Sequence, residues 1–368
     1  MTSAGPTPSS TAPPDVPGPR SVVRDLFPGI FAMVMATGIV AIGAHLLGVE
    51  WLGIGLHSLA VAMYVVLAVL LVARAVRYPH RLWDDLTSHA RGFSYLTVVA
   101  GTGVLADGFG LLYGRWGVTA ALGLVGLVLW LVLVYVALVA IIVGQRKPGL
   151  EQGINGTWFL LTVSTQSLAV LVALLLGRSG RHSDLLAFGG VAMFMLGVLL
   201  YVIVMTMVFL RWTFLRLTPD EADPPVWIAA GALAITVLAG SNLILAADAS
   251  PRLAGLVPFL EGVVIMAWGT STFWFPLMIA ISVWRHVVRR YPLRYHPANW
   301  AMVFPLGMYG VATSRMRDAI DLDPLGWVPP LVLGVALAAW LPTFAGLVRR
   351  VALAARRRAG EPRSPARS

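Results

Sequence analysis

Few side chains in this 368-residue sequence are equipped for chemistry, and none are grouped for it. No set of His, Asp and Glu has metal-ligand spacing, no Gly-rich loop is placed to cradle phosphate, and no nucleophile has a base beside it. The absence of cysteine excludes disulfides, thiolate metal sites and cysteine catalysis. What remains is a set of polar and charged residues inside long apolar runs, where such residues are costly and functional by default. Asp107, Glu261 and Arg315 are the charged members; Thr37, Thr102, Thr165, Gln166 and Thr236 are the polar ones. Their chemistry is non-covalent: they can replace part of an ion's hydration, attract or repel charge, or carry a proton. His45 and His57 fall near the ends of apolar runs, where interfacial histidines are common.

One stretch has a more specific design. Asn299-Trp300-Ala301-Met302-Val303-Phe304-Pro305-Leu306-Gly307-Met308-Tyr309-Gly310 lies in an apolar run. Pro305 removes a backbone donor and bends a helix, Gly307 and Gly310 uncover the backbone, and Phe304 sets a ring beside the bend. A helix bent around a cavity with an aromatic plug would use all of this. An ordinary kinked helix with Phe304 packed on a neighbour would use some of it.

The elements that position these residues follow from composition. The chain is 58% hydrophobic and 12% charged, which excludes a water-soluble domain of this size. Ten apolar runs are long enough to cross a hydrocarbon core of about 30 Å as helices. They cover roughly Pro28–Leu47, Trp51–Val76, Gly92–Tyr113, Val118–Gly144, Gly156–Leu176, Asp184–Leu210, Pro225–Ala247, Gly255–Val287, His296–Arg315 and Trp327–Val348. The expected fold is therefore an all-α polytopic membrane protein. Residues 1–24 read as a disordered Pro/Ser-rich tail, 25–350 as the membrane domain, and 351–368 as a basic tail.

The formal charge of +10 is carried by loops between apolar runs, which points to membrane orientation and not to nucleic acid. Arg115, Arg178, Arg181, Arg252, Arg315 and Arg317 follow the odd spans; the other 21 of the 27 Lys and Arg lie in the two tails and after the even spans. Both termini are thus expected in the cytoplasm, with Arg356, Arg357 and Arg358 against anionic lipid headgroups.

The odd spans begin at similar intervals, as five helical hairpins would. Equal offsets then place Thr37, Thr102, Gln166, Thr236 and Phe304 roughly 12 to 17 Å deep, close to the midplane. One such residue from each odd helix suits the wall of a narrow pore, with Gly38, Gly101, Gly103 and Gly240 beside them. Ser and Thr that bond back to their own backbone are the plain alternative. Asp107 sits toward the outer part of the third span, either at an entrance or solvated. Pro258 marks a possible helix start that would leave Glu261 near the interface beside an arginine; otherwise Glu261 is intramembrane. Arg315 falls at the outer mouth, where it attracts anions or pairs with Asp318.

Three stretches carry a family resemblance. Phe27 to Val40 resembles the opening helix of the tellurite-resistance and dicarboxylate transporter family. Gly156-Thr157-Trp158-Phe159 through Ser164-Thr165-Gln166-Ser167 resembles its fifth helix, and Trp300 to Gly307 its ninth. That family includes tellurite-resistance proteins, fungal malate transporters, sulfite pumps and the slow anion channels of plant guard cells. The resemblance implies ten helices as five hairpins around a central pore lined by the odd helices. It also implies a homotrimer with one pore per subunit, and a gate formed by Phe304 with Pro305 after it. Thr37, Gly38, Thr102, Thr165, Gln166, Thr236 and Gly307 are then the expected lining, and Arg315, Asp107 and Glu261 the mouth or coupling residues.

The resulting expectation is a multi-pass inner-membrane protein that passes small anions (C4-dicarboxylates such as malate, or sulfite, chloride or nitrate) without covalent chemistry. No enzyme activity, cofactor, metal or nucleic-acid partner is expected. No odd span holds Lys or Arg at mid-depth, which favours weak, passive passage over tight capture. The alternative is a proton-coupled dicarboxylate carrier or a sulfite or tellurite efflux protein, with Glu261 or Asp107 as the titrating group.

Overall fold

A computed structural model describes residues 19–178 and 183–360. The expected tail up to residue 18, the 179–182 segment with Arg181, and residues 361–368 lie outside the described residues. All regular structure among the described residues is helical. The ten long helices are α1 (Ala32–Leu46), α2 (Glu50–Arg77), α3 (Thr97–Tyr113), α4 (Trp116–Val143), α5 (Leu160–Leu176), α6 (Asp184–Phe214), α7 (Ile228–Leu245), α8 (Val257–Val283), α9 (Trp300–Ile320) and α10 (Val328–Gly360). Eight are long and apolar enough to cross a membrane, counting the short turns that open or close them. The exceptions are α1, with 15 residues, and α9, which carries Arg315, Arg317 and Asp318 near its end.

Helix boundaries differ from the apolar runs at identifiable places. Pro19–Arg24, expected in an unstructured tail, forms a short helix. Residues Pro79–Leu86 form another between α2 and α3, opened by Pro79, whose fixed φ suits a first turn. The expected end of the tenth span at Val348 is overrun by three turns. Its Ala- and Arg-rich continuation consists of strong helix formers, with cations suited to a helix C-terminus.

The odd helices pack in a closed ring, α1 on α3, α3 on α5, α5 on α7, α7 on α9, and α9 back on α1. Each even helix packs outside, on its preceding odd helix and on the next one round: α2 on α1 and α3, α4 on α3 and α5, and so on to α10 on α9 and α1. The ring helices are buried along nearly their whole length, whereas most of each even helix is exposed. The exposed surface of α2 is Val65, Val66, Val69 and Val72, a face suited to lipid and not to water.

Small residues set the ring's diameter. A Cβ on Gly231 of α7 would lie 2.7 Å from Cγ of Pro305, and one on Gly307 of α9 would lie 2.9 Å from Cγ2 of Ile39. Backbones approach closely there because a side chain is missing, as is usual where membrane helices pack.

Candidate functional site

The end of the ring where the odd helices begin is a polar bowl. Four odd helices open through one-turn 3-10 segments: Gly92–Leu96, Gly156–Phe159, Pro224–Trp227 and Pro297–Asn299. Proline or asparagine explains several of these starts. Asn155 accepts from the Thr157 N–H at 2.9 Å, and His296 Nδ1 accepts from the Ala298 N–H at 3.1 Å. Residues from all five starts, including Phe27, Ser94, Asn155, Asp223 and His296, line one cavity of about 310 Å³. Five helix N-termini around one cavity present their positive dipole ends to it, which favours anions.

Buried arginines hold this end together. Arg74, 3% exposed, closes α2 and pairs with Asp85 at 2.6 Å, while donating to Leu26 O and Tyr95 Oη. Arg91 takes the other Asp85 oxygen at 2.8 Å. Arg211 closes α6, pairs with Glu221 at 3.0 Å and donates to Glu151 O. Arg285 follows α8 and donates to Ala222 O. Each therefore ties the end of an even helix to the loop entering an odd one.

Carboxylates outnumber arginines in the bowl's lining, where Arg91 and Arg211 are the arginines. Glu151, Asp220, Glu221 and Asp223 also line it. A hydrogen bond from the Thr218 N–H holds Glu221 below the usual carboxylate range. Burial pushes Asp223 up to about 7 against the opposing pull of Arg285 and Arg211. Burial, with Arg350 and Arg285 nearby, lowers His296, in keeping with its ring nitrogen acting as an acceptor.

The Asp223 shift carries a stability prediction. The folded state holds its proton more tightly than the unfolded chain, whose value is 3.8, so ionising Asp223 destabilises the fold. That penalty grows as pH rises from about 4 and is complete above about 7. Asp223→Asn should melt above the parent at pH 8, and the gap should close toward pH 4. A gap that does not change with pH would refute the assignment.

The axis of the ring is defined by rotation. At 3.6 residues per turn, neighbours fix which face of each helix points inward. On α9, Gly307 meets α1, Gly310 meets Pro329 of α10, Thr313 and Tyr309 bond to Trp268 and Thr272 of α8, and Pro305 meets Gly231 of α7. The remaining sector carries Phe304, Met308 and Arg315, and it faces the axis. On α3, Gly101 meets α1, Gly108 meets His57 of α2, Gly110 meets Trp116 of α4, and Gly103 meets Ser167 of α5. Ala100 and Asp107 occupy the sector left over. On α7, contacts with Pro305 of α9, Ser271 of α8 and Gly190 of α6 leave Ile235 and Asn242 inward. Phe304 is 2% exposed and Met308 1%, so the axis is closed and apolar at that level.

Most of the expected lining residues contact neighbouring helices. Thr37 accepts from Trp340 Nε1 of α10 at 3.0 Å, Thr102 bonds to Tyr64 of α2 at 2.8 Å, and Thr165 accepts from Trp130 of α4 at 3.0 Å. Gln166 donates to Phe194 O of α6 at 3.0 Å, and Thr236 bonds back to Ala232 O. Gly38 faces Val104 of α3, and Gly307 faces α1. Four of these five side chains bond across to an outer helix, and Thr236 bonds within its own helix, so each has a hydrogen-bond partner in the structure. Trp268 and Thr313 extend the same pattern, an outer-helix aromatic donating to a ring threonine.

The three charged residues separate. Glu261 is half-buried in the second turn of α8, outside the ring, and makes no ion pair among the described residues, so the expected arginine partner is not found. Arg315 contacts Asp318 at 3.7 Å. Asp107 is 6% exposed and unpaired. The bowl's acids and Arg211 went unrecognised in the sequence, where loops yield only a charge count. Asn242 gave a usable signal, an amide inside an apolar run.

Ring, closed axis and polar bowl define a multi-helix membrane protein. The voltage-dependent anion channel profile matches residues 25–348, and the chain belongs to that family, the group of tellurite-resistance and dicarboxylate transporters. Among its relatives, an uncharacterized membrane protein of Mycobacterium tuberculosis (strain H37Rv) is 40% identical over 155 residues, 42% of this chain and 77% of the relative. Two uncharacterized transporters of Methanocaldococcus jannaschii are also similar. One is 24% identical over 80% of this chain and 84% of its own length; the other is 21% identical over 90% and 96%. Membership implies anion transport across a membrane.

Proposed function

We propose that the chain passes small anions, C4-dicarboxylates or inorganic anions such as sulfite, chloride or nitrate, along the axis of the odd-helix ring, with Phe304 as the barrier. The observation that carries this reading is the closed ring itself, with a polar bowl of five helix N-termini leading to a buried phenylalanine on the axis. The helix N-termini around the bowl turn their positive dipole ends toward an entering anion, and the apolar level at Phe304 and Met308 excludes water and ions until the ring moves. Pro305 bends α9 beside the gate.

All ten long helices cross the inner membrane as five hairpins, with both termini and the bowl in the cytoplasm. Family membership supports a trimer with a separate path in each subunit. A proton-coupled carrier is the second reading, favoured by the unpaired Asp107 on the axis. Flux in proteoliposomes across malate, sulfite, chloride and nitrate tests the proposal. Passive flux of at least one anion is expected; no flux of any would overturn it, and uptake driven only by a pH gradient would favour the carrier.

Topology has a clean test because the chain has no cysteine. Gln145 and Asp248 are exposed and lie in connections at opposite ends of the helices. Gln145→Cys should be labelled only from the cytoplasm and Asp248→Cys only from outside. Labelling of both from one side would break the hairpin arrangement.

A further inference from the structure

Beyond the gate, the axis carries polar groups that the fold does not use. Asp107 and Asn242 are each 6% exposed, and neither side chain has a hydrogen-bond or ion-pair partner among the described residues. Buried polar groups are ordinarily satisfied, so an unpartnered one is a group that a ligand or a water can occupy. Both lie in the sectors of α3 and α7 that face inward. Arg315 lies three turns beyond Phe304 on the same face of α9, and among the described residues its one ion-pair contact is with Asp318 at 3.7 Å. All three fall about 15 to 18 residues from the turns that open their helices, roughly 22 to 27 Å along, hence within about a turn in depth.

Three other charged or titratable groups at this end are engaged away from the axis. His57 of α2 bonds to Leu105 O on the far side of α3, His45 pairs with Glu50 at 2.8 Å, and Arg178 stacks over Trp116. Helix α5 contributes none between Leu160 and Leu176.

We propose that Asp107, Asn242 and Arg315 form a second site on the axis, outward of Phe304, which takes an anion carrying its own O–H group in preference to a bare halide or an anion without that group. The proposal rests on the anion-path reading above. Arg315 and the Asn242 amide N–H groups donate to the anionic oxygens, while the Asp107 carboxyl accepts from the ligand's hydroxyl. An anion without a donor meets the same carboxyl oxygens as a repulsive element, and that is the source of selectivity.

The test compares isethionate with ethanesulfonate, two strong-acid monoanions that differ by one hydroxyl and do not titrate near neutrality. Flux of each, and of chloride, is measured in proteoliposomes containing the Phe304→Ala protein, so that the gate does not limit entry. Isethionate should pass or compete roughly ten-fold better than ethanesulfonate, the scale of one hydrogen bond to a charged group. Adding Asp107→Leu, which removes the acceptor oxygens, should bring that ratio close to one. Adding Arg315→Gln should slow both sulfonates alike and leave the ratio standing. Glu261→Gln should change neither. Equal passage of the two sulfonates before any change at the site overturns the proposal, and needs no variant of Asp107 to fold. A ratio that survives Asp107→Leu overturns it as well. Chloride flux without hydroxyl preference would sink this site alone. Absence of flux of all three anions would sink the anion path together with it.

Discussion

Phe304→Ala should raise steady anion flux about ten-fold or more over the unaltered protein, because lowering a barrier by only about 1.4 kcal/mol has that effect. The ring of Phe304 is fully buried on the inward sector of α9, so its removal opens the path and not merely a pocket between helices. Phe304→Leu should fall between, since leucine fills part of the same volume. Were the ring ordinary core packing, its loss would leave a cavity costing roughly 3 to 5 kcal/mol, with early melting and no gain in flux. Flux and melting temperature measured on the same purified samples separate these outcomes. A destabilised variant with unchanged flux would contradict the gate.

The second large effect is structural. Asp85→Ala removes the partner of Arg74 at 2.6 Å and of Arg91 at 2.8 Å, leaving a guanidinium buried at the end of α2 without its carboxylate. Breaking such a pair from one side costs roughly 3 to 5 kcal/mol. The variant should therefore melt well below the parent. Removing both charges with Arg74→Leu and Asp85→Leu should restore much of the loss, since a well-packed apolar pair of similar size avoids the stranded charge. An unchanged melting temperature for Asp85→Ala would show that Arg74 relies on Leu26 O and Tyr95 instead.

The contrast between these two sites shows what the sequence could convey. Runs of twenty apolar residues are visible without a structure, and the membrane class and long helices follow from them. Rotation is not visible. A helix such as Ile228–Leu245 is apolar and buried on every side, so no polar face announces which way Thr236 or Asn242 turns. Depth was available for Thr37 and Thr102, and the neighbouring motif for Thr165, and neither distinguishes the axis from the contact with an outer helix. Their partners, Trp340, Tyr64 and Trp130, come from helices that the ring arrangement alone brings alongside. The proline-kink motif did single out Phe304, because a bulky ring beside Pro305 is a local feature. Asp223 was hidden for another reason: its burial arises where five separate loops meet.

The central claim is that anions travel along the axis of one ring, and cysteine block tests it most directly in a chain free of native cysteine. In the Phe304→Ala background, Met308→Cys places a thiol on the inward face of α9, whereas Val65→Cys places one on the exposed face of α2. Modification with a small charged methanethiosulfonate should stop anion flux through the first protein and leave the second untouched. Equal loss of flux in both, or a fully modified Met308→Cys protein that still conducts, would contradict a path along the axis.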